Sequence, residues 1–416
     1  MTDRKSLLAK EIDPFLKSLT EKQTGAKTPP INGLVAGVTT DKETIYLNGF
    51  GTRNLETGVP IQPDDIVSFF SCSKSITSMA FLKLWEEGKI DLDEPVKKHL
   101  PLIGTIGLIE PDSVDDEDGS FTIPPKPPVN EITARQLLTH TAGFSYAFLN
   151  YDYFKLATKK DLHINAIYPT LEYFSTHKIP LVHEPGTAWM YGHNIDWLGL
   201  IIQEVTGKKL GEYIDEVIFK PIGMTSCTFH IHDDSNMIKS HIRKSDKSLK
   251  LLTKLGVTLD PEIDMGGQGI FGNVGDYLKF MRVWLNYGIS PDTGNRILKE
   301  ETVKFAIKNH LPTDIEMEFP SLSTKMFNDD EIQRITPDGY SLSGNAYSSN
   351  DLPTGRKKGS IYWSGMANLF FWIDFKTKLA GFYACQVFPF LDPTCYNNYI
   401  KFETLVYKLE KNSLKL

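Results

Sequence analysis

The chain has 416 residues and a 41% hydrophobic content, enough to bury one or two globular cores. A formal charge of −7 and a pI near 5.9 exclude nucleic acid as the main partner. No long uncharged apolar run suggests a membrane span, and the opening residues lack the apolar core and cleavage site of a secretion signal. The expectation is a cytoplasmic protein with no membrane partner. Its four cysteines, Cys72, Cys227, Cys385 and Cys395, show no C-x-x-C spacing and read as free thiols.

Residues 1–26 read as a helix with Leu7, Leu8, Ile12, Phe15, Leu16 and Leu19 on one side. Gly33–Val38 and Thr44–Leu47 read as a β-hairpin joined at Thr40-Asp41-Lys42. An apolar, strand-like run, Ile66 to Phe70, then leads into Ser71-Cys72-Ser73-Lys74. The pattern after it is helical, through Ile76, Met79, Ala80, Leu82 and Leu84, and stops at Gly88. Residues 108–130 are acidic, then Pro-rich, and read as a surface excursion. Thr133 is an expected N-cap for a helix that follows. The region 160–310 reads as mainly helical, including Trp197–Val205 and Tyr277–Tyr287. Within it, the lysine-rich stretch 235–254 reads as a solvated loop. Residues 318–358 read as a second excursion. Ile361–Trp363, Leu369–Ile373 and Leu379–Val387 read as strands, and Tyr396–Leu409 as a closing helix. Strands at both ends with helices between predict an α+β fold. The expected division is a discontinuous sheet domain, 1–100 with 335–416, and an inserted, mainly helical domain, 101–334, with the active site at their junction.

The chemistry is expected at Ser71 and Lys74. A serine and a lysine three apart at a helix start share one face. A serine hydroxyl is a weak nucleophile until a neighbouring base takes its proton, and a packed, partly desolvated lysine is one such base. Backbone N–H groups at the helix start favour developing negative charge. A second S-x-x-K, Ser175 to Lys178, lies in a polar stretch before Pro180 and reads as a loop. Tyr191, just before a helical run, is placed to exchange protons with a serine near an ammonium group. Trp363-Ser364-Gly365-Met366 ends a strand, where a glycine admits close backbone approach and N–H groups can face a carbonyl oxygen. His140 reads as structural. His193 either points into the cleft to bind substrate or caps the next helix. There is no G-x-S-x-G, no H-E-x-x-H and no zinc spacing, so no metal or cofactor is expected.

Together, Ser71-x-x-Lys74, Tyr191-Gly192-His193 and Trp363-Ser364-Gly365 resemble the serine β-lactamase and penicillin-binding-protein superfamily. Ile132–Gly143, Pro185–Gly199, Val205–Gly207, Pro221–Met224 and Gly266–Gly269 agree in order. The resemblance runs from about Gly33 to Val387. It implies the β-lactamase/transpeptidase-like fold, an antiparallel sheet from both chain ends flanked by helices. It also implies catalysis by Ser71, Lys74 and Tyr191, with the N–H groups of Ser71 and Met366 holding the oxyanion. Antibiotic-hydrolysing members carry Y-x-N and K-T-G, whereas here His193 and Trp363 stand at those places. Lys357-Lys358-Gly359-Ser360 is a decoy for K-T-G. The branch most resembled is the esterases and fungal transesterases, of the type that makes the lovastatin side chain. The expected function is hydrolysis or transfer of acyl groups from small-molecule esters or thioesters through an acyl-enzyme on Ser71. Gly365, Trp363, Ser364, Met366 and His193 are the expected substrate-binding positions. The alternatives are a β-lactamase or D-alanyl-D-alanine peptidase, and a non-catalytic assembly protein on the same fold.

Overall fold

The computed structural model describes residues 4–159, 170–176, 179–253, 258–318, 335 and 337–413. Its centre is a seven-stranded sheet: β1 (Gly33–Thr40), β2 (Thr44–Gly51), β3 (Gly339–Tyr340), β4 (Ala346–Tyr347), β5 (Ile361–Gly365), β6 (Leu369–Asp374) and β7 (Leu379–Cys385). The spatial order is β2-β1-β7-β6-β5-β4-β3, and every pairing is antiparallel. β1 pairs with β7, Leu34 opposite Cys385 through Thr40 opposite Leu379, so the two chain ends are sewn into one sheet.

Both faces of this sheet are covered, which is why β1, β6 and β7 are buried along their whole length. Alternation assigns the faces. Leu34, Ala36 and Val38 join Trp372, Tyr383 and Phe402 under helix α1 (Arg4–Thr20) and the last helix, Pro393–Ser413. Val35, Phe371 and Phe382 face the opposite way, into the larger core. That core holds α2 (Ser73–Glu86), α3 (Asn194–Thr206) and α4 (Val274–Leu285). Each fully buried aromatic or aliphatic side chain there contributes about 1.5–3 kcal/mol. α2 is buried almost all round, from Ser73 to Leu82, because it lies between the sheet and the helical region. Thr133 does cap the helix Ala134–Leu138, in a reciprocal pair of bonds with Gln136.

The sequence reading needs three corrections. The run before Ser71 is strand only at Val67–Ser68, which pairs with Phe271–Gly272. The lysine-rich stretch is a hairpin: His241–Arg243 pairs with Leu249–Leu251 and, in parallel, with Val387–Phe388. Its backbone has partners there, which a solvated loop would lack. The second excursion includes β3 and β4, two residues each and too short to show alternation. Residues 319–334 and 336 of that excursion lie outside the described residues. No described helix is long and apolar enough to cross a membrane.

Candidate active site

The site is assembled on the turn that enters α2. Phe70–Cys72 form a single 3₁₀ turn, so Ser71 sits just before the helix, half-buried. Phe70 holds φ +47°, a left-handed conformation that is strained for an aromatic residue. Neighbours hold the turn in place. The Phe69 N–H donates to Ile270 O at 3.0 Å, and the Tyr277 hydroxyl donates to Cys72 O at 2.8 Å. Ile270 N–H donates to Ser73 Oγ at 3.1 Å, and Thr77 Oγ1 donates to Gly266 O at 2.8 Å. The first turns of α2 are thus laced to the segment 266–270.

Lys74 is fully buried. Its Nζ lies 3.2 Å from Ser71 Oγ, 3.2 Å from the Tyr146 hydroxyl and 2.8 Å from the carbonyl of Gly267. Three oxygens match the three N–H bonds of an ammonium group. The same nitrogen stands 4.7 Å from the ring centre of Tyr191 and 5.5 Å from that of Tyr146, so two aromatic faces also stabilise a cation there. Tyr191 is buried, and its phenolic oxygen accepts a hydrogen bond from Trp363 Nε1 at 3.1 Å. That bond leaves the Tyr191 O–H to donate elsewhere.

The structure therefore brings Ser71, Lys74, Tyr191 and Trp363 together, with one change of partner. The hydroxyl bonded to Lys74 is that of Tyr146, and Tyr191 presents its ring. Tyr146 went unnoticed in the sequence because its contact with Lys74 spans 72 positions and follows no periodicity. Burial first, and then the Asp196 carboxylate, push the Tyr146 phenol well above its ordinary range, so it stays protonated. Burial likewise raises the Cys72 thiol, with Lys74 opposing, so Cys72 stays a protonated thiol beside Ser71.

β5 brings up the other wall. A Cβ on Gly365 would lie 2.6 Å from the carbonyl oxygen of Phe69. This glycine thus lets the strand edge pack against the backbone entering the Ser71 turn, a demand made by the protein itself. Ser364 and Met366 on either side are half-buried. The turn from Met366 to Asn368 is fixed by Asn368 Nδ2, which donates to the carbonyls of Val387 and Pro389, each at 2.7 Å. Lys357 pairs with Asp351 on the surface and its backbone N–H donates to Asp374, consistent with its reading as a decoy. Of the second S-x-x-K, Ser175 accepts from the Ile179 N–H, while His177 and Lys178 lie outside the described residues.

His193 takes neither expected role cleanly. It occupies the N-cap position of α3 with no capping bond from its side chain. Its buried ring bonds to the Tyr173 hydroxyl at 2.7 Å and to Asp196 at 3.1 Å, and stands edge-on to Tyr146 at 4.3 Å. Burial lowers its pKa and Lys74 adds to that, against Asp196. His140 packs among Tyr191, Tyr340 and Trp189, with Nδ1 bonded to Asn194 at 2.9 Å. Burial, with Lys74, pushes its pKa well down, so it is a neutral, structural ring, as read from the sequence. Among the described residues, no three His, Cys, Asp or Glu side chains gather as a metal site.

Residues 20–405 match the family model described as Beta-lactamase. The monacolin J acid methylbutanoyltransferase of Aspergillus terreus is 27% identical over 379 residues, 87% of this chain and 88% of that protein. The lovastatin esterase of Penicillium rubens is 29% identical over 379 residues, 88% and 91% of the two chains. A solved mutant form of simvastatin synthase from Aspergillus terreus superposes with a TM-score of 0.77 at 27% identity, over 97% of this chain and 98% of that one.

Proposed function

The chain belongs to the beta-lactamase family, and from that premise we propose that it is a serine esterase or transesterase acting through an acyl-enzyme on Ser71. The observation that carries this reading is Lys74 Nζ at 3.2 Å from Ser71 Oγ, inside a buried polar cluster. In the reactive state Lys74 is unprotonated. Its lone pair faces Ser71, while one N–H stays on the Gly267 carbonyl and one on Tyr146. Ser71 Oγ attacks the ester carbonyl and its proton passes to Lys74. The N–H groups of Ser71 and Met366 hold the resulting oxyanion. The tetrahedral intermediate collapses, and the departing alkoxide takes a proton from the Tyr191–Lys74 pair. Tyr191 is suited to donate, because Trp363 occupies the acceptor side of its oxygen. Water, or an alcohol in the transferase direction, then enters by the reverse route. The proposed steps need no metal or cofactor.

The substrate reading follows from Trp363. An indole offers an apolar face and one N–H, and that N–H is already given to Tyr191. Trp363 itself offers no cation to meet a carboxylate, so neutral aromatic or alkyl esters and thioesters fit better than penicillins. Ser364, Gly365 and Met366 form the substrate-facing edge. The proposed division is a discontinuous sheet domain, 1–100 with 335–416, and an inserted helical domain, 101–334, with Ser71 on one side of the junction and Tyr191 on the other. The proposed location is cytoplasmic.

Rapid-mixing kinetics with a short-chain p-nitrophenyl ester tests the reading. A burst of one nitrophenol per chain is expected, absent in Ser71→Ala. An added alcohol should raise the steady rate if transfer is supported. Efficient penicillin hydrolysis with no esterase burst would overturn the proposal.

A further inference from the structure

Behind Lys74 lies a chain of buried polar groups that the reaction above leaves unexplained. Asp196, in the first turn of α3, is 1% exposed. Its Oδ1 accepts the backbone N–H of Gly267 at 2.7 Å, and the carbonyl of that same glycine accepts from Lys74 Nζ at 2.8 Å. Its Oδ2 meets His193 Nδ1 at 3.1 Å, and His193 Nε2 meets the Tyr173 hydroxyl at 2.7 Å. A carboxylate only accepts, so Nδ1 carries the imidazole proton and Tyr173 donates to Nε2. Every bond in the chain then has one donor and one acceptor.

The charges make the arrangement unusual. Lys74 and Asp196 are both buried, and among the described residues no carboxylate touches Lys74 and no lysine or arginine touches Asp196. A buried charge without a partner is costly. Here the opposite charges are separated by a single residue, Gly267, whose N–H faces the anion and whose carbonyl, in the next peptide unit, faces the cation. A carboxylate in direct contact would hold a proton on the amine. Across one residue it still offsets the charge, and it leaves the amine free to face Ser71. The fit is tight, because a Cβ on Gly267 would lie 2.6 Å from Asp196 Oδ1.

We infer that Asp196, oriented by His193, is a positioning residue for Lys74, acting through the backbone N–H and carbonyl of Gly267. This rests on the reading of Lys74 as the base for Ser71. The titratable groups facing Lys74 are Cys72 before its helix, His140 and Tyr146 from the 134–146 segment, Tyr191 and His193 before α3, and Asp196. The segment 266–270 brings no charged side chain. Of those groups Asp196 is the carboxylate, so neutralising it disfavours the ammonium form.

The test uses the full chain with Asp196→Asn, which keeps an oxygen for the Gly267 N–H and removes the charge. With active sites counted by burst amplitude, kcat per site for a p-nitrophenyl ester should fall about 10–100-fold, as when a group orienting a functional ligand is lost, with KM little changed. The acid limb of kcat/KM should move down by on the order of one pH unit. His193→Asn, whose amide can replace the Nδ1–H donor, should lose less than His193→Phe. This pair serves equally if Asp196→Asn does not fold. Unchanged kcat per site and an unmoved limb in Asp196→Asn, or equal losses in the two His193 variants, would overturn the inference. Lys74→Ala is run alongside. If it retains wild-type acylation, the base reading itself fails and this inference with it.

Discussion

The two walls around Ser71 are built differently. Behind it, Lys74 is fully buried, and its bonds to Ser71, Tyr146 and Gly267 use all the donors it has. In front, Phe70 in the 3₁₀ turn, and Ser364 and Met366 at the end of β5, are half-buried. A saturated wall has one arrangement and loses function in steps when a member is removed. A half-open edge tolerates change and alters which substrate is accepted. On the proposed reading, rate belongs to the buried wall and selectivity to the edge.

The largest effects should come from breaking the buried wall. Lys74→Ala and Tyr191→Phe should each lower the acylation rate by roughly 10²–10⁴, the usual loss when general acid–base help is removed. The double variant should lose much less than the product, because both serve one proton path. Multiplicative losses in single-turnover kinetics would mean that the two act separately. Tyr146→Phe removes one hydrogen bond to Lys74 and should lower kcat about tenfold, corresponding to about 1–1.5 kcal/mol, with KM nearly unchanged. A change in KM alone would move Tyr146 to the substrate side of the comparison.

Changes at the edge should act on selectivity. Trp363→Lys should raise affinity for carboxylate-bearing β-lactams and weaken that for neutral esters, each by several-fold in inhibition and KM measurements. Because Trp363 also bonds Tyr191, some loss of kcat should accompany this. A variant with unchanged preferences would remove the charge argument.

The smallest effect concerns stability. Burial lowers the pKa of His140, His183, His193, His241 and His310 from 6.5 in the folded chain. In the unfolded chain they take up protons at higher pH, so stability is fully present above about pH 6.5 and is lost as pH falls below it. Thermal melts between pH 7.5 and 5.5 should show Tm falling toward acid. A flat profile across that window would show that these rings protonate without cost.

How much of this was legible in the sequence depended on distance along the chain. Ser71 and Lys74 stand three residues apart, so helix geometry alone places them together. Tyr191 and Trp363 were found through motif order, which records spatial neighbours that periodicity cannot. Tyr146 and Gly267 reach Lys74 across 72 and 193 positions, and Gly267 does so through its backbone, which no residue type announces. The same limit applies to the fold. β1, β6 and β7 were readable from apolar runs, whereas β3 and β4, at two residues each, carry no alternation. His193 was ambiguous because its role depends on Tyr173, which no local pattern links to it.

The most direct test is intact-mass and peptide-mapping spectrometry after brief exposure to a short-chain activated ester at acidic quench. The account predicts a single acyl adduct on the peptide containing Ser71, formed fast in the wild type, slowly in Lys74→Ala and not at all in Ser71→Ala. An adduct on the peptide containing Ser175, or acylation that persists in Ser71→Ala, would contradict it.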